Sequence, residues 1–190
     1  LSGKVADIFG LTRQLQEQLD LLPAIASKAE RGYKLYANQA LRPFKAKTAA
    51  IHDRMMPVEA FRSIALGCLE HFQRNEKGLL KSDDPEFVHQ ARVALRRLRS
   101  AIKLFAPVLP PEFVTAYGKT WQTLASALGD ARNWDVFLKE TLPPIDAAFP
   151  ENHDIRRLRN AARRRADEAR RSITRILSVS EYPRLLVEFT

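Results

Sequence analysis

Glu86-Phe87-Val88-His89-Gln90-Ala91-Arg92-Val93-Ala94-Leu95-Arg96-Arg97-Leu98-Arg99-Ser100-Ala101-Ile102-Lys103-Leu104-Phe105 sorts into faces when wound at about 100° per residue. Val88, Ala91, Leu95, Leu98, Ile102 and Phe105 share one face, wide enough to bury against other helices. His89, Arg92, Arg96, Arg99 and Lys103 form a second stripe, within an arc of roughly 80° beside the apolar one. Arg97 stands apart from it, further round the polar side. One imidazole and four cations therefore run along about three to four turns with no carboxylate among them. Helices that need only solubility usually mix acids with bases at i,i+4. This one repels itself, so something outside the helix should neutralise it.

Periodicity alone leaves two readings of that stripe, a solvated basic face or an anion site. Its place beside the apolar face favours the second, because such a stripe lies at the mouth of a groove between helices. A histidine at such an edge is usually a satisfied core-edge group. Within this row His89 becomes a candidate phosphate donor.

The run Val88–Phe105 resembles the signature helix of the CHAD family, the conserved histidine α-helical domain. The resemblance implies an all-α fold of two four-helix bundles that binds inorganic polyphosphate in a basic groove. The signature's imidazole and basic residues map onto His89, Arg92, Arg96, Arg97, Arg99 and Lys103. It covers about residues 56–190. The expected architecture is therefore an antiparallel four-helix bundle, half of a two-bundle domain, with a short mixed N-terminal appendage. No second His-x-x-Arg-x-x-x-Arg-Arg-x-Arg run occurs. A face meant for a second bundle would be exposed or covered by another copy, which makes a homo-oligomer one expectation.

Composition agrees with a polyanion partner. Lys and Arg number 31 against 22 Asp and Glu, a formal charge of +9, with a pI near 10.0. Such a surplus suits nucleic acid, acidic lipid or polyphosphate. Few glycines and mainly helical periodicity point to an all-α chain over at least the last two-thirds. Cys68 is single, so neither a disulfide framework nor a Cys-based zinc site is expected. No apolar run approaches about 18 residues and no signal peptide opens the chain, so a cytoplasmic protein without membrane contact is the expectation.

Upstream, Val5, Ile8, Phe9, Thr12, Leu15, Leu19 and Leu22 recur near helical spacing, and Pro23 closes the segment. Residues 27–35 are read as turning through Gly32, and Pro43–Lys47 as a short extended piece. Ser27-Lys28-Ala29-Glu30-Arg31-Gly32-Tyr33 followed by Pro43-Phe44-Lys45-Ala46 is similar to the end of CYTH domains, the triphosphate tunnel family, and precedes the CHAD-like segment as in CYTH–CHAD fusions. Residues 1–50 are then the C-terminal remnant of such a domain, and 56–190 a first CHAD bundle. The tunnel's Glu-x-Glu-x-Lys motif is absent, so its triphosphatase activity is not carried over. Pro57 opens a helix expected to end near Asn75–Gly78, with His71 close enough to its C-terminus to suit the dipole as a cation.

Asp84, Pro85 and Glu86 form an N-terminal signal for the signature helix, as cap, first position and first-turn acid. Phe113, Tyr117, Trp121, Leu124 and Leu128 make a core stripe, not a base-stacking platform. Asp135 could pair with an arginine on the buried side, while Arg132 is half of such a pair or a groove residue. In a last long helix over about 154–178, the arginines read mainly as a solvated face, with Arg159 and Arg163 able to furnish the opposite wall of a groove.

Three functions compete. Polyphosphate offers charged oxygens and no base edges, which suits a row of guanidinium forks and a lysine. Protonation of His89 should add a charge and strengthen such binding at mildly acidic pH. Nucleic acid explains the charge, but exposed aromatics to stack bases are few. Hydrolysis needs metal-bound water or a positioned nucleophile, and the stripe has no carboxylates for magnesium and no Gly-rich phosphate loop beside it. The expectation is binding without catalytic, metal or cofactor groups. Association with polyphosphate granules is a further expectation.

Overall fold

The computed structural model describes residues 5–19 and 21–189, and no described residue lies in a strand. Its helices are α1 (Val5–Gln18), α2 (Lys28–Tyr36), α3 (Pro57–Lys81), α4 (Pro85–Phe105), α5 (Pro111–Val136), α6 (Leu142–Ala148), α7 (His153–Ser178) and α8 (Glu181–Phe189). The chain divides into two compact units, residues 41–174 and residues 1–40 with 175–190.

In the larger unit, short connections fold α3, α4 and α5 back on one another as antiparallel neighbours. Asp84 Oδ1 accepts from the Glu86 N–H at 2.9 Å and Pro85 takes the first helical position, so α4 starts where its sequence signal lies. A 3-10 turn, Ala106–Val108, and the Pro110-Pro111 pair lead into α5. Phe72, Leu95, Leu98, Trp121 and Leu128 have no exposed surface, and each such side chain stabilises the fold by about 1.5–3 kcal/mol relative to an exposed one. Phe61 seals one end of the core, its ring centroid 5.8 Å from Phe105 and 5.9 Å from Phe113. A five-residue π turn, Phe137–Thr141, carries α5 into α6, whose Pro143 and Pro144 fall in the first turn, where no N–H is required.

Two local expectations are corrected. Residues 28–36 are helix, not a turn through Gly32. Ser27 Oγ accepts from the Glu30 N–H at 3.1 Å, and Glu30 pairs with Lys34 one turn on at 2.6 Å. These local bonds carry the helix across a glycine that costs only about 1 kcal/mol. Secondly, α3 runs to Lys81 and does not end at Asn75–Gly78. The Asn75 side chain is committed sideways: its Oδ1 accepts from the Phe44 N–H and its Nδ2 donates to the Phe44 carbonyl, both at 2.9 Å. Gly78 has no positive φ and serves packing instead, since a Cβ there would meet the Phe87 ring. The Pro43–Lys47 segment is thereby strapped along α3 without regular secondary structure, with the Arg74 guanidinium 4.9 Å from the Phe44 ring.

In the smaller unit α1 packs on α8, which buries Tyr182, Leu186, Val187 and Phe189. Ile8, Leu11 and Leu15 remain exposed on α1. The N-terminal region thus holds the helices α1 and α2, and its other described residues lie outside helices. No helix among the described residues is long and apolar enough to cross a membrane.

Candidate functional site

The two flanks of α4 face different neighbours, and this sorts its basic residues. On the α3 flank, Gln90 is buried, and its Oε1 lies 2.9 Å from His71 Nε2. Gln90 Nε2 donates to Glu86 Oε1 at 2.7 Å. An ionised carboxylate only accepts, so Glu86 fixes the direction of the Gln90 amide, and that amide in turn requires His71 to donate from Nε2. Arg97 lies on this flank too, where its charge is felt at both His71 and Cys68 of α3. Burial pushes the Cys68 thiol up, and Arg97 opposes the shift.

His71 is therefore a buried, neutral group ten residues before the end of α3, not a cation at its C-terminus. Burial lowers its pKa and the Arg97 charge lowers it further. The Gln90 hydrogen bond and the Phe44 backbone oppose them. Because the unfolded chain takes up this proton more readily, the stabilising contribution is present above the ordinary histidine range, near pH 6.5, and is lost as pH falls below it. Glutamine at this position keeps an amide donor toward Gln90 and cannot titrate. Thermal unfolding of His71→Gln is accordingly expected to show a flatter fall of Tm between about pH 7 and pH 5 than the unchanged protein.

On the other flank, His89, Arg92 and Arg99 are half-buried, while Arg96 and Lys103 are exposed. Arg92 extends over α5, where a Cβ placed on Gly129 would stand 3.8 Å from its Nε. None of these five side chains has a hydrogen bond or ion pair with another described residue. Some arginines elsewhere are matched, Arg74 with Glu70 at 2.7 Å, Arg165 with Glu168 at 3.1 Å and Arg170 with Asp135 at 2.9 Å, while others such as Arg163 and Arg164 have no such partner among the described residues. The row is thus an unneutralised line of donors along one flank of α4, chemically suited to a chain of anionic oxygens.

The secondary candidates lie otherwise. Arg132, on α5, makes a loose pair with exposed Glu140 at 3.4 Å, and Arg159 of α7 is engaged by Asp146 of α6. Arg163 is exposed. Beside Arg92 lies α5, at Gly129. The partner of Asp135 is Arg170, whose Nη2 also reaches the Asp83 carbonyl at 3.5 Å and so ties α7 to α5 and to the α3–α4 turn. Sequence reasoning paired Asp135 with an arginine on the buried side without identifying it as Arg170. It gave Gly129 no place beside Arg92 and missed the Glu86–Gln90–His71 chain. Among the described residues, no group of three His, Cys, Asp or Glu could hold a metal ion.

The sequence model of the CHAD domain family matches residues 63–190. Among solved structures, the crystal structure of the CHAD domain from the plant Ricinus communis is 38% identical with a TM-score of 0.67. The match covers 79% of this chain and 50% of that one, so the chain spans about half the length of the solved domain. No curated protein matches.

Proposed function

The chain belongs to the CHAD domain family, and from that premise we propose that it binds inorganic polyphosphate along the α4 row of His89, Arg92, Arg96, Arg99 and Lys103. CHAD domains are linked in general to polyphosphate binding. The observation that carries the reading is the absence of any partner for these five side chains among the described residues, while the helix's own acid, Glu86, sits at its N-terminus and is turned toward Gln90. Each guanidinium can bridge oxygens of neighbouring phosphates, and no covalent step is involved. Arg97, on the α3 flank, adds charge at longer range. The likeness of residues 27–46 to the end of a CYTH domain supports a second part of the proposal, that any triphosphatase chemistry of a parent fusion protein resides in its tunnel and not in the bundle. The cell compartment proposed for this activity is the cytoplasm.

Calorimetric titration with long-chain polyphosphate at two salt concentrations, with and without excess RNA, tests the reading. Binding should weaken steeply as salt rises, because each neutralised phosphate returns a counterion to solution. RNA should displace polyphosphate poorly, for lack of exposed aromatic platforms along the row. Displacement by RNA at equal phosphate concentration would replace the proposal with nucleic-acid binding. No measurable binding at low salt would remove it.

A further inference from the structure

Glycine is a poor helix former, so one in the middle of α5 needs a structural reason. The row on α4 advances by three, four, three and four residues, from His89 to Lys103. On α5, Arg132, Gly129, Ala125, Gln122 and Gly118 show the same alternation read backwards. These α5 residues occupy one arc of roughly 80° bordering the buried Trp121, Leu124 and Leu128. The two helices are antiparallel neighbours, and Arg92 over Gly129 sets their register. Carried along both helices, that register would set His89 level with Arg132, Arg96 with Ala125, Arg99 with Gln122 and Lys103 with Gly118, where a Cβ would meet nothing within 4 Å. The α5 strip has no carboxylate and no large apolar side chain.

We infer that this strip is the floor of the polyphosphate seat, about 21 Å long, and that Gly129 is a positioning residue that lets the Arg92 guanidinium lie flat across α5 with its donors open to phosphate. The inference rests on the polyphosphate reading and adds a second helix to the site. An alanine at 129 would place its Cβ at ordinary contact distance from Arg92 Nε. A leucine would occupy the place of the guanidinium and lift it off the floor. Both substitutions favour the helix over glycine, so neither is expected to lower Tm.

Polyphosphate binding and Tm are to be measured for Gly129→Ala, Gly129→Leu and, as a control on the exposed side of α5, Ser126→Leu. Alanine at 129 and the Ser126 control should bind as the unchanged protein does. Leucine at 129 should bind at least tenfold more weakly with Tm maintained. Combining Gly129→Leu with Arg92→Ala separates positioning from general damage. If Gly129 acts through Arg92, the combined change binds within about twofold of Arg92→Ala alone. A further loss in the combined variant overturns the inference, whatever the Tm of the single change. So does full binding by Gly129→Leu when Arg92→Ala/Arg96→Ala has lost it, an outcome that leaves the polyphosphate reading standing. Full binding by Arg92→Ala/Arg96→Ala overturns both.

Discussion

Arg92→Ala/Arg96→Ala is expected to weaken polyphosphate binding by roughly a hundredfold or more while leaving the fold intact. A hydrogen bond to a charged group contributes about 1.5–3 kcal/mol, so removing two guanidiniums should cost about 3–6 kcal/mol of binding free energy. The two side chains lie one turn apart on the same flank of α4, and neither is bonded to protein among the described residues. Their removal therefore breaks no hydrogen bond or ion pair among the described residues and relieves like-charge repulsion along the helix, so Tm should hold or rise. The salt dependence of whatever binding remains should also be shallower, because fewer counterions are released. A companion change, Arg165→Ala, removes one charge from an arginine paired with Glu168 on α7 and should alter binding little. Equal losses from both changes would mean that total charge, not the α4 row, governs binding. Calorimetry with circular dichroism on the same samples decides the matter.

Gly78→Ala is expected to destabilise the protein, although alanine is the better helix former. A Cβ at this position would fall onto the Phe87 ring, which is itself only 2% exposed and has no open side to move into. Overpacking of this kind costs about 1–3 kcal/mol, occasionally more, against a gain of about 1 kcal/mol in helix propensity. The clash sits where α3 and α4 approach next to the Ser82–Asp84 turn, so relief requires the two helices to part. Valine at 78 should be worse than alanine. Phe87→Leu should partly rescue Gly78→Ala, with a coupling of about 0.5–3 kcal/mol between the two positions. Denaturant unfolding of the two single variants and the double variant checks both the sign and the rescue. A more stable Gly78→Ala protein would show that Phe87 can turn aside.

These two effects fall on different levels of the molecule. Gly78 sets how closely α3 approaches α4, and therefore where the whole α4 helix stands. The basic row then depends on the rotation of α4 about its own axis. That rotation is held on the α3 flank by the Glu86–Gln90–His71 chain, with its 2.7 and 2.9 Å links. Acid that protonates His71 thus attacks the support of the helix from the flank opposite the basic row.

By itself the sequence determined the all-α class, the start of α4 and its two stripes, because capping and 3.6-residue periodicity are local: Asp84, Pro85 and the apolar run from Val88 to Phe105 act within a few turns of each other. The charge row was legible for the same reason. The tertiary structure alone decided what each flank of that helix meets. Arg97 lies toward Cys68 and His71, whereas Arg92 lies over Gly129, and no local pattern encodes which neighbouring helix comes to which side. Gly78 and His71 looked like helix-end residues because a glycine and a cation commonly finish helices, yet packing against Phe87 and burial beside Gln90 gave them other tasks. Arg170 meets Asp135 across 35 residues of sequence. Such pairings depend on how the helices dock, and docking is settled by the fit of whole faces, a property of the assembled core rather than of any one stretch of chain.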